Sequence, residues 1–291
     1  MGMDAQLRIA IIGCGTLGTA IANGILEPKS ETGFSVKHLT ATVGTPASKK
    51  RVEETLGVNS HRLTVLTKEE NVRAIQDAEI VILAMKPIKR AKVFAVSGFK
   101  EALRDKFVVS IMAGISTAAL GRLVFGENAS EDTASLQAVR AMPNMAAKIR
   151  EAVTLYTPGV GTTEDNLEIA DWIFHQVGVA YQMPEGSFDI CAVLVGCAGS
   201  LLLLAIDGLL DAAVAEGVKR PDVQNLVVNS AIGMLKLVPE GDHPGVLREK
   251  IASPGGCSIR ALLELEKLGV RSAFTTAILA AAAKSKSMSS S

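Results

Sequence analysis

From Arg8 to about Gln182, short and largely apolar runs alternate with longer amphipathic ones. RIAIIG (8–13), LTATV (39–43), EIVILAM (79–85), FVVSIMA (107–113), QAVRAM (137–142), AVTLY (152–156) and GVAYQM (178–183) predict strands. Residues 16–27, 47–56, 88–103, 116–125 and 164–177 predict the intervening helices. Apolar strands alternating with helices imply βαβ units around a mostly parallel sheet. After Met183-Pro184 the pattern changes. Residues 185–284 carry apolar positions at helical spacing, broken at EGVKRPD (216–222), VPEGDHPG (238–245) and SPGG (253–256). The expected architecture is a doubly wound α/β domain over 1–183 and an all-α domain over 184–291. The polar, low-complexity end KSKSMSSS, 284–291, is expected to be disordered.

Composition narrows this picture. Of 291 residues, 48% are hydrophobic and 21% charged, which predicts a substantial core and argues against global disorder. Lys+Arg and Asp+Glu both number 30, so no basic excess points to nucleic acid or a membrane surface. Four scattered cysteines without C-x-x-C spacing suit a reducing cytosol and offer no zinc site. The first residues, MGMDAQLRIAIIG, lack the pattern of a secretory signal, and position 6 lacks the Ser or Thr of a myristoylation signal. The uncharged run 190–206 is a little short for a spanning helix, is bounded by Asp189 and Asp207, and reads as a buried helix. So much apolar helix in so short a domain suggests burial against a second subunit as well.

Two segments have the chemistry of anion sites. Gly13, Gly15 and Gly18 stand in G-x-G-x-x-G spacing between the first strand and the first helix, a Rossmann-type signature. With Cys14, Thr16 and Leu17 they form a turn for a pyrophosphate. After the second strand no carboxylate occurs from Leu39 to Arg51, whereas Thr45, Ser48, Lys49, Lys50 and Arg51 offer hydroxyls and positive charge to a 2′-phosphate. NADPH is therefore favoured over NADH. Lys86-Pro87 ends another strand where ligands bind in open α/β sheets, although a solvated lysine fits the same place. The second segment is SPGGCS, 253–258. Pro and two glycines turn the chain into a helix whose first N–H groups are unpaired.

GCGTLG, LAMKP, VVSIMAGI, VRAMPN and SPGGCSIRALLELEKLGVRSAF occur in this order, and with them the chain resembles pyrroline-5-carboxylate reductase from about residue 8 to 282. The resemblance implies a Rossmann domain carrying NADPH and a C-terminal helical domain that interlocks with its twin in a homodimer, with higher assemblies of dimers open. It implies a cyclic imine carboxylate as substrate, reduced to proline. Its carboxylate would rest on the turn at Gly256, on the N–H groups of Cys257 and Ser258 and on the Ser258 hydroxyl, which orients the ring. It further implies cofactor contacts at Asn71, Ala84, Lys86, Pro87 and Ala113. Glu185 aligns with an acidic residue near the nicotinamide, or serves packing or capping.

One hallmark departs from the family. Its G-S-G-P-A-Y is here GCAGSL, Gly196 to Leu201, with Gly196 in register and Ser200 in the same stretch. A six-membered or substituted imine, or a non-catalytic NADP-binding dimer, are the readings this motivates. Asp207 further along can face the imine nitrogen or lie on the helix surface, so no general acid is assigned. His243 reads as a turn or cap residue. A β-hydroxyacid dehydrogenase is disfavoured because no lysine occurs between Lys148 and Lys219.

Overall fold

A computed structural model describes residues 5–29, 33–126 and 136–289. Its described residues form eight strands: β1 (Ala5–Ile12), β2 (Phe34–Val43), β3 (Leu63–Thr67), β4 (Ile80–Leu83), β5 (Phe107–Ser110), β6 (Ala138–Pro143), β7 (Ala152–Pro158) and β8 (Gly178–Gln182). Between them lie α1 (Thr16–Leu26), α2 (Pro46–Leu56), α3 (Asn71–Gln76), α4 (Arg90–Phe94), α5 (Phe99–Leu103), α6 (Thr117–Phe125) and α7 (Glu164–His175). The strands make one sheet in the order β3-β2-β1-β4-β5-β6-β7-β8. Every neighbouring pair is parallel except β6 with β7. The first six positions have the doubly wound order of a dinucleotide-binding sheet.

Local chemistry sets the helix starts. Thr45, Ser116 and Thr163 cap α2, α6 and α7 by accepting from the N–H of Ser48, Ala119 and Asn166. Pro46 opens α2, and Glu164 and Asp165 sit favourably in the first turn of α7. Central strands bury both faces, which is why β4 and most of β1 and β5 are apolar. Ile9 and Ile11 pack toward α1 and α7, with Trp172 and Phe174, while Ala10, Ile12, Val81 and Leu83 pack toward Phe99 and Leu103.

Three expectations change. The run 88–103 is two short helices, because Gly98 takes φ +80° between them and Phe94 meets Phe99 edge-on at 5.1 Å. β3 and α3 were not expected: LTVLT is short and leads into the polar KEEN. Residues 284–289 are helical rather than disordered, since Ala280–283 favours helix and Ala282 is buried, while 290 and 291 lie outside the described residues.

Beyond β8 come α8 (Glu185–Ala215), α9 (Arg220–Leu235), α10 (Pro244–Ile251), α11 (Cys257–Lys267) and α12 (Val270–Ser289). Contacts divide the chain into Met1–Gly196 with Ala282–Ser291, and Cys197–Ala281. The division falls inside α8 rather than at 183/184, because Phe188 and Ala192 pack with Leu155 on β7. Within the second unit Arg220 pairs with Asp207 and Asp211, and Glu266 with Arg248 and Arg271. α8 was expected to be buried. Within one chain it is largely open: Leu202, Leu203, Leu204 and Leu209 are all exposed. Among the described residues it is the one helix long and apolar enough to cross a membrane.

Candidate functional site

β1 lies between β2 and β4, and the three strands end side by side. A cavity of about 470 Å³ opens at those ends, lined by residues 13–16, 42–45 and 84–86 with Ser48, Arg51, Lys68, Asn71, Lys89 and Val93. Gly13 has φ +80°, and a Cβ there would lie 2.9 Å from the Met85 Cβ, so only glycine makes this turn. The turn is tied to β2: the Gly13 N–H donates to Thr42 Oγ1 at 3.2 Å and the Cys14 N–H to the Thr42 carbonyl at 2.7 Å. At Gly15 a Cβ would have no neighbour closer than 3.9 Å, which leaves room for a ligand against the backbone. At Gly18 it would press on Ile11 Cγ2 at 3.2 Å and on Ala84 and Cys14 at 3.4 Å. Gly18 therefore serves the packing of α1 on β1 and β4.

Electrostatically the cavity suits an anion. α1 starts after Gly15 with no side chain capping it, so its first N–H groups and the positive end of its dipole remain available. Arg51, Lys86 and Lys89 line the cavity with no ion pair among the described residues, whereas Lys68 lies 3.7 Å from Glu69. Asn71 is buried, and its Oδ1 has no partner. Such an orphan at a cavity wall calls for a ligand donor, such as a ribose hydroxyl. Burial pushes the Cys14 thiol up to about 11, against a smaller lowering by the Thr19 hydroxyl, so it is neutral.

Of the expected cofactor contacts, Gly13, Cys14, Gly15, Thr16, Thr45, Ser48, Asn71, Ala84 and Lys86 line this cavity. Leu17, Gly18, Lys49, Pro87, Ala113 and Glu185 do not. Leu17 packs against the core, Lys49 lies 3.8 Å from Glu53, and Pro87 opens a short 3₁₀ turn. Ala113 follows the end of β5. Glu185 is held by Arg140, whose Nη1 donates to Glu185 Oε1 at 2.6 Å. Thr42, Lys68, Lys89 and Val93 were missed. Arg140 was also passed over, although a charge inside the apolar run QAVRAM signals a buried pair.

The second anion turn lies in the other unit. Gly255 has φ +71°, and Gly256 is the extended N-cap of α11, with no side chain capping the helix. A Cβ on Gly256 would lie 2.7 Å from Ser253 Oγ, which can rotate away, and 3.2 Å from the Ser253 carbonyl oxygen, so the turn is tight there. Cys257 and Ser258 follow, both exposed, in the first turn where N–H groups lack helical partners. Ser200 donates to the Cys197 carbonyl of its own helix at 2.7 Å. Asp207, expected near substrate, is an exposed partner of Arg220 at 2.7 Å. A Cβ on Gly196 would lie 3.2 Å from Met142 Cε. His243 is the N-cap of α10, accepting from the Gly245 N–H at 3.1 Å.

A wider depression of about 780 Å³, lined by Phe34, Tyr156, Trp172 and His175 among others, has no glycine turn. Burial and the Asp171 carboxylate push Tyr156 there up to about 12.

Known proteins match both parts of the chain. The family model for pyrroline-5-carboxylate reductase dimerisation matches residues 185–288. A model described as NADP oxidoreductase, coenzyme F420-dependent, matches residues 8–114. The pyrroline-5-carboxylate reductase of Neurospora crassa is 33% identical, covering 94% of this chain and 91% of that protein. That of Lophium arboricola is 31% identical, covering 94% and 91%. The NADP-bound crystal structure of pyrroline carboxylate reductase from Plasmodium falciparum superposes with a TM-score of 0.81 at 26% identity, covering 99% of this chain and 100% of that one. With similarity running across both the glycine-turn cavity and the SPGGCS helix, the chain belongs to the pyrroline-5-carboxylate reductase family.

Proposed function

We propose that this chain reduces 1-pyrroline-5-carboxylate to proline with NADPH, working as a homodimer. The observation that carries the reading is a pair of glycine-started helices without side-chain caps, α1 and α11. One suits the cofactor pyrophosphate and the other a small carboxylate. The cofactor cavity fits NADPH: Gly15 leaves room for the pyrophosphate, the orphaned Asn71 Oδ1 takes a ribose hydroxyl, and Arg51 beside Ser48 meets the 2′-phosphate.

NADPH, when bound, supplies the hydride that reduces the C=N carbon. The protein's own part is orientation. Cys257 and Ser258 N–H groups, with the Ser258 hydroxyl, hold the substrate carboxylate and so fix the face the ring presents. An iminium is already electrophilic and needs no strong acid. Asp207 is not offered as one, because Arg220 holds it. Replacing Ser258 by Ala should raise KM for the imine by about 10-fold, the worth of a hydrogen bond to a charged group, while the NADPH dissociation constant stays unchanged.

The exposed leucines of α8 are read as dimer interface rather than as a lipid-facing surface, since the matched family model describes dimerisation over that segment. Any association of dimers would build on this unit. Four free cysteines support a reducing, cytoplasmic location.

The test is NADPH absorbance with purified protein and pyrroline-5-carboxylate, run beside the six-membered imine carboxylate. The reading requires rapid loss of absorbance with the five-membered ring and proline as product. Turnover of the larger ring alone would reassign the substrate. NADPH binding without turnover of either would return the chain to a non-catalytic role.

A further inference from the structure

Arg140 sits on β6, opposite Ser110 of β5 and Thr157 of β7. Its side chain is 6% exposed, so a permanent cation has been taken out of water. Both terminal nitrogens of the guanidinium are engaged by one helix. Nη1 donates to Glu185 Oε1 at 2.6 Å, Nη2 donates to Asp189 Oδ1 at 2.5 Å, and the group lies 4.1 Å from the centroid of the Phe188 ring. All three residues belong to the first two turns of α8. Apolar support there is thin, with Phe188 and Ala192 packed on Leu155 and flanked by Met142, Met183, Cys191 and Val195. Apolar contact is non-directional and lets a helix rotate or slide, whereas a planar fork gripping two carboxylates does not.

The same strand touches α8 a second time. Met142, two residues on, closes against Gly196, where a Cβ would be 3.2 Å from its Cε. β6 thus fixes α8 at residues 185–189 and again at 196, about 10–16 Å further along the helix. We propose that Arg140 is a positioning residue for the reaction: by gripping the first turns of α8 it fixes the rotation and register of that helix on β6, where Met142 meets Gly196. This rests on the reductase reading. Cofactor binding is left alone, because Arg140, Glu185 and Asp189 are all outside the lining of the glycine-turn cavity.

Three full-length variants test it. Arg140→Lys keeps the charge but loses the fork, Arg140→Met removes both, and Asp189→Asn weakens one prong. For Arg140→Lys we expect kcat on pyrroline-5-carboxylate to fall about 10- to 100-fold, the scale set by small misplacements of reacting groups. The NADPH dissociation constant should stay within about two-fold of wild type. Amide hydrogen exchange should quicken across 186–196 and stay unchanged in β1 and α1. Asp189→Asn should move kcat and exchange in the same direction by less. A variant that merely lowers Tm, with kcat and α8 exchange at wild-type values, overturns the proposal. Should the Arg140 variants not fold, unchanged kcat and exchange in Asp189→Asn overturn it equally. If wild type fails to consume NADPH with this imine, the reductase reading falls, and α8 exchange alone decides whether Arg140 anchors the helix.

Discussion

Lys49, Lys50 and Arg51 follow one another on α2, yet successive helical side chains point about 100° apart. Lys49 and Lys50 each lie 3.8 Å from a glutamate one turn on, Glu53 and Glu54, while Arg51 lines the cofactor cavity. Arg51 is therefore the cation we propose for the 2′-phosphate. Arg51→Gln should weaken NADPH binding by about 10- to 100-fold, a charged hydrogen bond's worth, and leave NADH binding nearly unchanged. Lys49→Ala should alter neither, and fluorescence titration of both cofactors decides the point. From the sequence the positive charge and the hydroxyls were legible. Which of three adjacent cations faces inward was not, because that depends on how α2 is rotated on the sheet. Cys14 yields a pH prediction. Its ordinary value is 9.0 and burial raises it to about 11, so the folded state keeps a proton that the unfolded chain loses. The contribution is full below pH 9 and is lost as pH rises toward 11. Urea midpoints should fall more steeply over that window in wild type than in Cys14→Ala; equal slopes would contradict it.

At the scale of elements, the glycine turn separates two roles that look alike in sequence. Gly13→Ala places a Cβ 2.9 Å from Met85 at φ +80°, so stability should drop by about 1–3 kcal/mol. Gly15→Ala meets nothing in the protein nearer than 3.9 Å, so Tm should hold while NADPH affinity falls at least about 10-fold. Thermal melts paired with cofactor titration check both. The strands and helices that build this turn were readable because β1 runs apolar from Ile9 to Ile12 and α1 is amphipathic. The break at Gly98 and the short β3 were not, since a five-residue strand carries too little pattern to outweigh its polar flank. Glu185 was placed near the cofactor by resemblance. A local sequence could not reveal its Arg140 partner, which is 45 residues away.

For the whole molecule, the open leucines of α8 require a partner. Leu203 and Leu204 are 67% and 72% exposed, and neighbours Leu202 and Leu209 are exposed with them. Such a run is costly in water and marks an association surface. Light scattering should give twice the mass of one chain or an even multiple of it. Leu203→Asp should shift the protein toward a single chain, since a two-fold axis repeats the substitution on both sides. The sequence conveyed that this helix was too apolar to stand alone, but within one chain its burial was overestimated, because the expected neighbours lie outside the chain. Hydride transfer to a cyclic imine carboxylate leaves an isotopic trace. The most direct test supplies NADPH deuterated at the transferring C4 position with pyrroline-5-carboxylate and examines the product by mass spectrometry. Proline should carry one deuterium at the former imine carbon for each NADPH consumed. Proline without label, or no proline while NADPH remains bound, would contradict it.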